Sequence, residues 1–171
     1  MTDAQLDLLM TRRSIRSYTE RDVSEEDVET LLRAAMTAPS AGNEQPWHFV
    51  VIRQRETMEK IMKAHPYSKM LAQAPVCIAV LADVELERHA GFWVQDCSAA
   101  TMNLLLAAHA LGLGAVWLGV HPMADRQKAM KGILGLPDAV RCLSLVPVGH
   151  PAASAAPANR FDPGRIHKEQ W

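Results

Sequence analysis

Cysteine is scarce, and the chain has no use for it as a staple. Of 171 residues only 3 are cysteine, namely Cys77, Cys97 and Cys142, and none stands in a C-x-x-C spacing. That argues against a disulfide framework and reads as buried free thiols of a reducing compartment. An excess of one charge is also missing. Lys and Arg number 18 against 19 Asp and Glu, a formal net charge of -1, so nothing global points to nucleic acid and there is no acidic tail. The opening Met1-Thr2-Asp3-Ala4-Gln5 is polar and acidic, so no signal peptide is expected, and the predicted location is the cytoplasm.

Several chemistries are excluded in the same way. No G-x-S-x-G occurs, and Ser14 and Ser40 have no base near them in sequence to activate them. The seven histidines show no metal-ligand spacing with each other, with Cys or with Asp. Gly112-Leu113-Gly114 follows neither the dinucleotide order nor the order of a P-loop lysine. No repeat is visible. One long stretch lacks charge: from Cys97 to Ala124 there is no Asp, Glu, Lys or Arg. Three glycines and polar residues such as Asn103 and His109 break it up, so it reads as a buried helix and then a buried strand rather than a membrane span.

What is present is a regular alternation of elements. Helical periodicity predicts Ala4 to Arg12, a segment capped by Ser24 with its stripe at Val28, Leu31, Leu32 and Ala35, and then Thr57 to Lys63. A short helix from Pro66 to Leu71, a long one from about Phe92 to Leu111 and another from Met123 to Leu134 follow. Strands are predicted at Trp47 to Arg53, Val76 to Leu81, Ala115 to Val120 and Arg141 to Val148. Ala152 to Asn159 reads as a loose linker, and Arg160 to Trp171 as an arm docked on something. The sum is a single α+β or α/β domain over residues 1–171, with a four-stranded sheet and a central helix too apolar for a monomer's surface.

Four short constellations carry the candidate chemistry, and each has an ordinary alternative. Arg12-Arg13-Ser14-Ile15-Arg16 offers forked donors matched to a phosphate, or is a solvated helix end. Pro39 to Trp47 places Ser40, Asn43 and Gln45 beside free backbone N–H groups, which suits a flat hydrogen-bonding heteroaromatic ring, or is a plain helix-to-strand connection. Gly112 to Gly119 lets the backbone approach a ligand, or is a helix cap and tight turn. Arg160 returns to the same anion, or pairs with a surface carboxylate.

Taken in order, these motifs resemble the FMN-dependent nitroreductase family, in particular its short members, over nearly the whole chain. The resemblance implies a three-layer α+β fold, with a mixed, mostly antiparallel four-stranded sheet flanked by helices, in an intertwined homodimer with two FMN sites at the interface. It implies that Arg12, Arg13, Ser14 and Arg160 hold the phosphate and that Arg16 lies at the N1/O2 edge of the flavin. Pro39, Ser40, Asn43 and Gln45 would come from the second subunit, and Leu118 and Gly119 would offer backbone donors toward N5 and O4. The implied activity is ping-pong hydride transfer from NADH or NADPH to the flavin and on to a small electron acceptor such as a nitro compound or a quinone. No catalytic side chain, metal, nucleic acid or membrane partner is expected. The alternatives are a non-catalytic FMN-binding or flavin-sensing dimer and an anion-binding protein without flavin. Longer members of the family roof the substrate site with an extra helical excursion, for which Asp83 to Gly91 leaves no room; Tyr67, Lys69 and Met70 are candidates to line the pocket instead.

Overall fold

A computed structural model describes residues 4–171, with side chains described from residue 6 onward. Its centre is β2 (Val76–Asp83), a run of apolar residues buried almost end to end. It is buried because it is flanked on both edges and covered on both faces. On one edge it pairs antiparallel with β1 (Trp47–Ile52), and on the other with β5 (Val140–Gly149). Side chains alternate across a strand, so the even and odd positions of β2 feed different cores. Val76, Ile78, Val80 and Ala82 pack toward α2 (Glu25–Met36) and α4 (Trp93–Ala110). Cys77, Ala79 and Leu81 pack with Met58 and Ile61 of α3 (Arg55–Ala64) and Met130 of α5 (Ala124–Leu134). The result is three layers, helix, sheet and helix.

Local signals set most boundaries. The Ser24 hydroxyl accepts the Asp27 N–H at 3.0 Å, and Val28, Leu31 and Ala35 form the buried stripe of α2. Gly112, at φ +71°, ends α4 in the left-handed cap that glycine favours. The expected third strand is broken, however. It survives as β3 (Gly114–Ala115) and β4 (Leu118–Gly119), both antiparallel to β5, so the sheet has five strand segments. Between them Val116 enters one core and Trp117 packs on the other. The expected helix at Pro66 to Leu71 is a single 3-10 turn at Lys69–Ala72.

The central helix is less covered than its composition suggests. Leu104, Leu105 and Ala108 are buried, while Ala99 and Leu106 are partly open and Met102 is 37% exposed. Beside it, α1 (Ala4–Thr11) leaves Leu6, Leu9 and Met10 exposed. Beyond β5 the chain runs out as an exposed arm, residues 152–171, that carries Phe161, Ile166 and Trp171. Among the described residues no helix is long and apolar enough to cross a membrane.

Candidate functional site

The arginine-rich segment is held at the C-terminal end of α4. The Thr11 hydroxyl donates to the Asp7 carbonyl at 2.6 Å, so its 2.8 Å contact with His109 Nε2 makes that ring nitrogen the donor. The segment then lies along β3: Ser14 forms a parallel bridge with Ala115, and the Ile15 N–H donates to the Ala115 carbonyl at 3.0 Å. This approach needs Gly114, where a Cβ would stand 2.6 Å from Ile15 Cγ2. That glycine therefore makes room for the chain's own residue. Tyr18 fastens the far end, its hydroxyl 2.8 Å from the Ile15 carbonyl and 3.2 Å from that of Pro147. Burial pushes this phenol above its ordinary range, so it remains a donor.

Arg12, Arg13 and Arg160 line one cleft of about 570 Å³, together with Leu9, Met10 and arm residues from Pro157 to Phe161. Arg13 also lines a second cleft of about 510 Å³, floored by Leu105, Leu113 and Ala115. Among the described residues none of Arg12, Arg13, Arg16 or Arg160 forms an ion pair. Converging arginines without carboxylates suit a phosphate. Ser14 and Arg16 are exposed beside them.

The Pro39 to Trp47 loop is a small self-bonded turn. The Ser40 hydroxyl accepts the Gln45 N–H at 3.0 Å, and Gln45 Nε2 donates to Asn43 Oδ1 at 3.0 Å. Gly42, Asn43 and Gln45 have φ of +52°, +55° and +48°. Glycine and asparagine tolerate this region, but glutamine there is strained. Pro39, Asn43 and Gln45 are exposed, and Ser40 partly so. The loop is fastened to the N-terminal end of α4, where the Ala41 N–H donates to Asp96 Oδ1 at 3.0 Å.

Those two anchors decide the geometry. Asp96 and His109 lie thirteen residues apart on one helix, roughly 20 Å at about 1.5 Å per residue. One chain therefore keeps the arginine segment and the Ser40 loop at opposite ends of α4. It does not bring the two halves of the expected site together.

Leu118 and Gly119 sit on β4. The Val120 N–H donates to the Leu143 carbonyl at 3.0 Å, so antiparallel alternation turns the backbone groups of Gly119 away from β5 and those of Leu118 toward it. The outward Gly119 carbonyl accepts from His65 Nε2 at 3.0 Å and from Arg126 at 2.7 Å. His65 is 1% exposed and takes the Tyr67 N–H on Nδ1 at 3.3 Å. Burial holds its pKa below the ordinary histidine range, so it is neutral with the proton on Nε2. Arg126 also stacks over Tyr67, 5.5 Å from the ring centre.

His65, Arg126, Glu44 and Asp96 were not singled out by sequence. Only Asp96 carried a visible signal, as the one formal charge in the helix from Phe92 to Leu111. Among the described residues no cluster of His, Cys, Asp or Glu could hold a metal ion.

Comparison with known proteins points to one family. The model of the Nitroreductase family matches residues 9–65 and 62–150. A protein of Methanothermobacter thermautotrophicus, provisionally named NADH dehydrogenase/NAD(P)H nitroreductase, is 51% identical over 166 residues, covering 97% of this chain and 87% of the relative. A Desulfovibrio desulfuricans protein, provisionally a nitroreductase and solved in complex with FMN, is 32% identical with a TM-score of 0.87, covering 100% of this chain and 99% of that one. An FMN-dependent nitroreductase from Clostridium difficile R20291 has a TM-score of 0.90 at 26% identity, covering 97% and 99%.

Proposed function

The chain belongs to the nitroreductase family, and from that premise we propose that it is an FMN-dependent NAD(P)H oxidoreductase working as a homodimer with two shared sites. The observation that carries the dimer is the separation of the two site halves along α4. A two-fold pairing across the bare faces of α1 and α4 sets the N-terminal end of one α4 beside the C-terminal end of the other. It also covers Leu6, Leu9, Met10 and Met102, an apolar surface that a monomer leaves in water.

The donor set fits FMN. Arg12, Arg13 and Arg160 converge without carboxylates, and together with Ser14 they hold the phosphate. Arg16 sets a cation at the N1/O2 edge, where it stabilises negative charge on the reduced ring. Pro39, Ser40, Asn43 and Gln45 of the second subunit orient the ring, and the outward Gly119 N–H donates to its N5/O4 edge. Leu118 keys β4 onto β5 and so aims that donor. The chemistry supplied by bound FMN is acceptance of a hydride at N5 from NADH or NADPH and its return to a small acceptor such as a nitro compound or a quinone. No side chain is asked to act as acid or base; the residues supply position, charge and exclusion of water. Residues 1–171 act as one FMN-binding domain in this reading. Three buried free thiols suit a reducing cytoplasm.

The test begins with the visible spectrum of the purified protein and identification of any chromophore released by heat. The expected result is FMN at about one per chain, bleached rapidly by NADH or NADPH without oxygen. Bound FMN that neither nucleotide bleaches overturns catalysis in favour of a flavin-binding dimer. A colourless protein that takes up no added FMN overturns the assignment.

A further inference from the structure

The Ser40 loop is held by two carboxyl groups that face each other away from water. Asp96 is 4% exposed and Glu44 8%. Each uses one oxygen on the backbone. Asp96 Oδ1 accepts the Ala41 N–H at 3.0 Å, and Glu44 Oε2 accepts the N–H groups of Arg88 at 2.7 Å and His89 at 3.2 Å. The other oxygens, Glu44 Oε1 and Asp96 Oδ2, are fully buried and have no donor among the described residues. Ala41 brings the two together, its N–H on Asp96 and its carbonyl accepting the Glu44 N–H at 3.0 Å, and the two carboxyl groups act on each other's protonation. Unpartnered buried oxygens are rare and costly, and two like charges this close cannot both ionise. A single proton placed between them satisfies both oxygens at once.

We propose that Glu44 and Asp96 share one proton across a buried carboxyl–carboxylate hydrogen bond, and that this bond positions the loop carrying Ser40 and Asn43. The clause about the loop's target rests on the flavin reading above; the shared proton does not.

The surroundings say which group holds the proton. Burial, then the neighbouring Glu44 and Glu87 carboxylates, push Asp96 up. Two backbone N–H donors, then the Asp96 carboxyl and the His89 side chain, more than offset burial at Glu44 and keep it low. Asp96 is thus the donor and Glu44 the charged acceptor. The titratable and charged neighbours are Glu87, Arg88 and His89 on the connection from β2, and the Cys97 thiol beside Asp96 on α4, which burial pushes up and keeps neutral. Glu87 spends Oε1 on the Trp93 N–H, and His121 lies beyond the Trp93 ring. His89 also lies against Gly42, where a Cβ would stand 2.9 Å from its Nε2, so the loop, the connection and the first turn of α4 form one packed unit. Ionising Asp96 leaves two carboxylates face to face and drives Asp96 and Glu44 apart, which loosens the loop from the first turn of α4. Asp96→Asn keeps both bonds, since its carbonyl accepts from Ala41 and its amide donates to Glu44 Oε1, and it cannot titrate.

Hydrogen exchange on the full chain tests the proton without any flavin. In the wild type, protection of the Ala41, Arg88 and His89 amides, corrected for intrinsic rates, is expected to fall about tenfold as pH rises from about 5 to 9. Asp96→Asn is expected to keep full protection throughout. Flat protection in the wild type, or the same titration in Asp96→Asn, overturns the shared proton. FMN release rates then test the positioning. Asp96→Ala is expected to release FMN about tenfold faster, and Asp96→Asn within about twofold of wild type. Equal rates in Asp96→Ala and wild type overturn it. A chain that shows the amide titration but binds no FMN supports the shared proton and overturns the flavin reading instead.

Discussion

Replacing Gly114 with alanine tests how the arginine segment is held. The added Cβ would lie 2.6 Å from Ile15 Cγ2, 2.7 Å from Ile15 Cβ and 3.1 Å from Ile15 Cγ1. Ordinary contact requires about 3.5–4 Å, so something must move by roughly 1 Å. A rotamer change in Ile15 relieves the two γ-carbons but not its Cβ, which the 3.0 Å bond from Ile15 N–H to the Ala115 carbonyl fixes. The backbone from Ser14 to Arg16 must therefore lift off β3. Overpacking of this kind costs about 1–3 kcal/mol. For a chain of this size that is a melting temperature lower by roughly 2–12 °C. The segment that lifts carries the residues assigned to the cofactor, so FMN affinity is expected to fall by about 5- to 150-fold. Thermal unfolding and flavin fluorescence titration measure the two effects. Adding Ile15→Ala is expected to restore part of the loss, because it removes both γ contacts and leaves the 2.7 Å one. A Gly114→Ala protein that melts and binds FMN like wild type refutes the reasoning.

Arg13→Ala removes the side chain that lines both clefts. With about 1.5–3 kcal/mol for a bond to a charged group, FMN binding is expected to weaken about 10- to 100-fold while riboflavin binding hardly changes. Equal losses for both ligands would place Arg13 away from the phosphate. Met102→Glu puts a charge on the open face of α4. It is expected to weaken dimerisation by at least about tenfold and to shed bound FMN with it, as read by sedimentation and visible absorbance. A flavin-loaded monomer would break the link between dimer and site. The pH dependence of stability follows from Asp96. Its pKa is raised in the folded state, so above the ordinary aspartate range the folded chain keeps a proton that the unfolded chain has lost. Its contribution therefore falls as pH rises, until the folded-state pKa is passed. Glu44, with its pKa lowered, contributes in the opposite sense, losing its share as pH falls. Denaturant unfolding at a series of pH values is expected to show the alkaline loss in wild type and its removal in Asp96→Asn.

Sequence alone determined what depends on near neighbours. Ser24 and the stripe at Val28, Leu31 and Ala35 wrote α2, and the unbroken apolar run from Val76 to Leu81 wrote a strand buried on both faces. Gly112 ended the central helix, and Arg12-Arg13-Ser14-Ile15-Arg16 was legible as a candidate anion site beside its ordinary alternative, a solvated helix end. These signals act over a few residues, where periodicity, capping and side-chain chemistry are nearly independent of the rest of the chain.

Tertiary structure decided the rest. That the arginine segment and the Ser40 loop lie at opposite ends of α4 depends on bonds from Thr11 to His109 and from Ala41 to Asp96, across 98 and 55 residues. The break between β3 and β4 depends on which core Val116 and Trp117 enter, and on what Gly114 must admit. His65 carried no signal in the sequence; packing alone set it on the Gly119 carbonyl. Glu44 and Asp96 became a pair only because a one-turn loop and the first turn of a helix were pressed together. No spacing encodes such meetings; they are fixed by how whole elements bury their faces against one another.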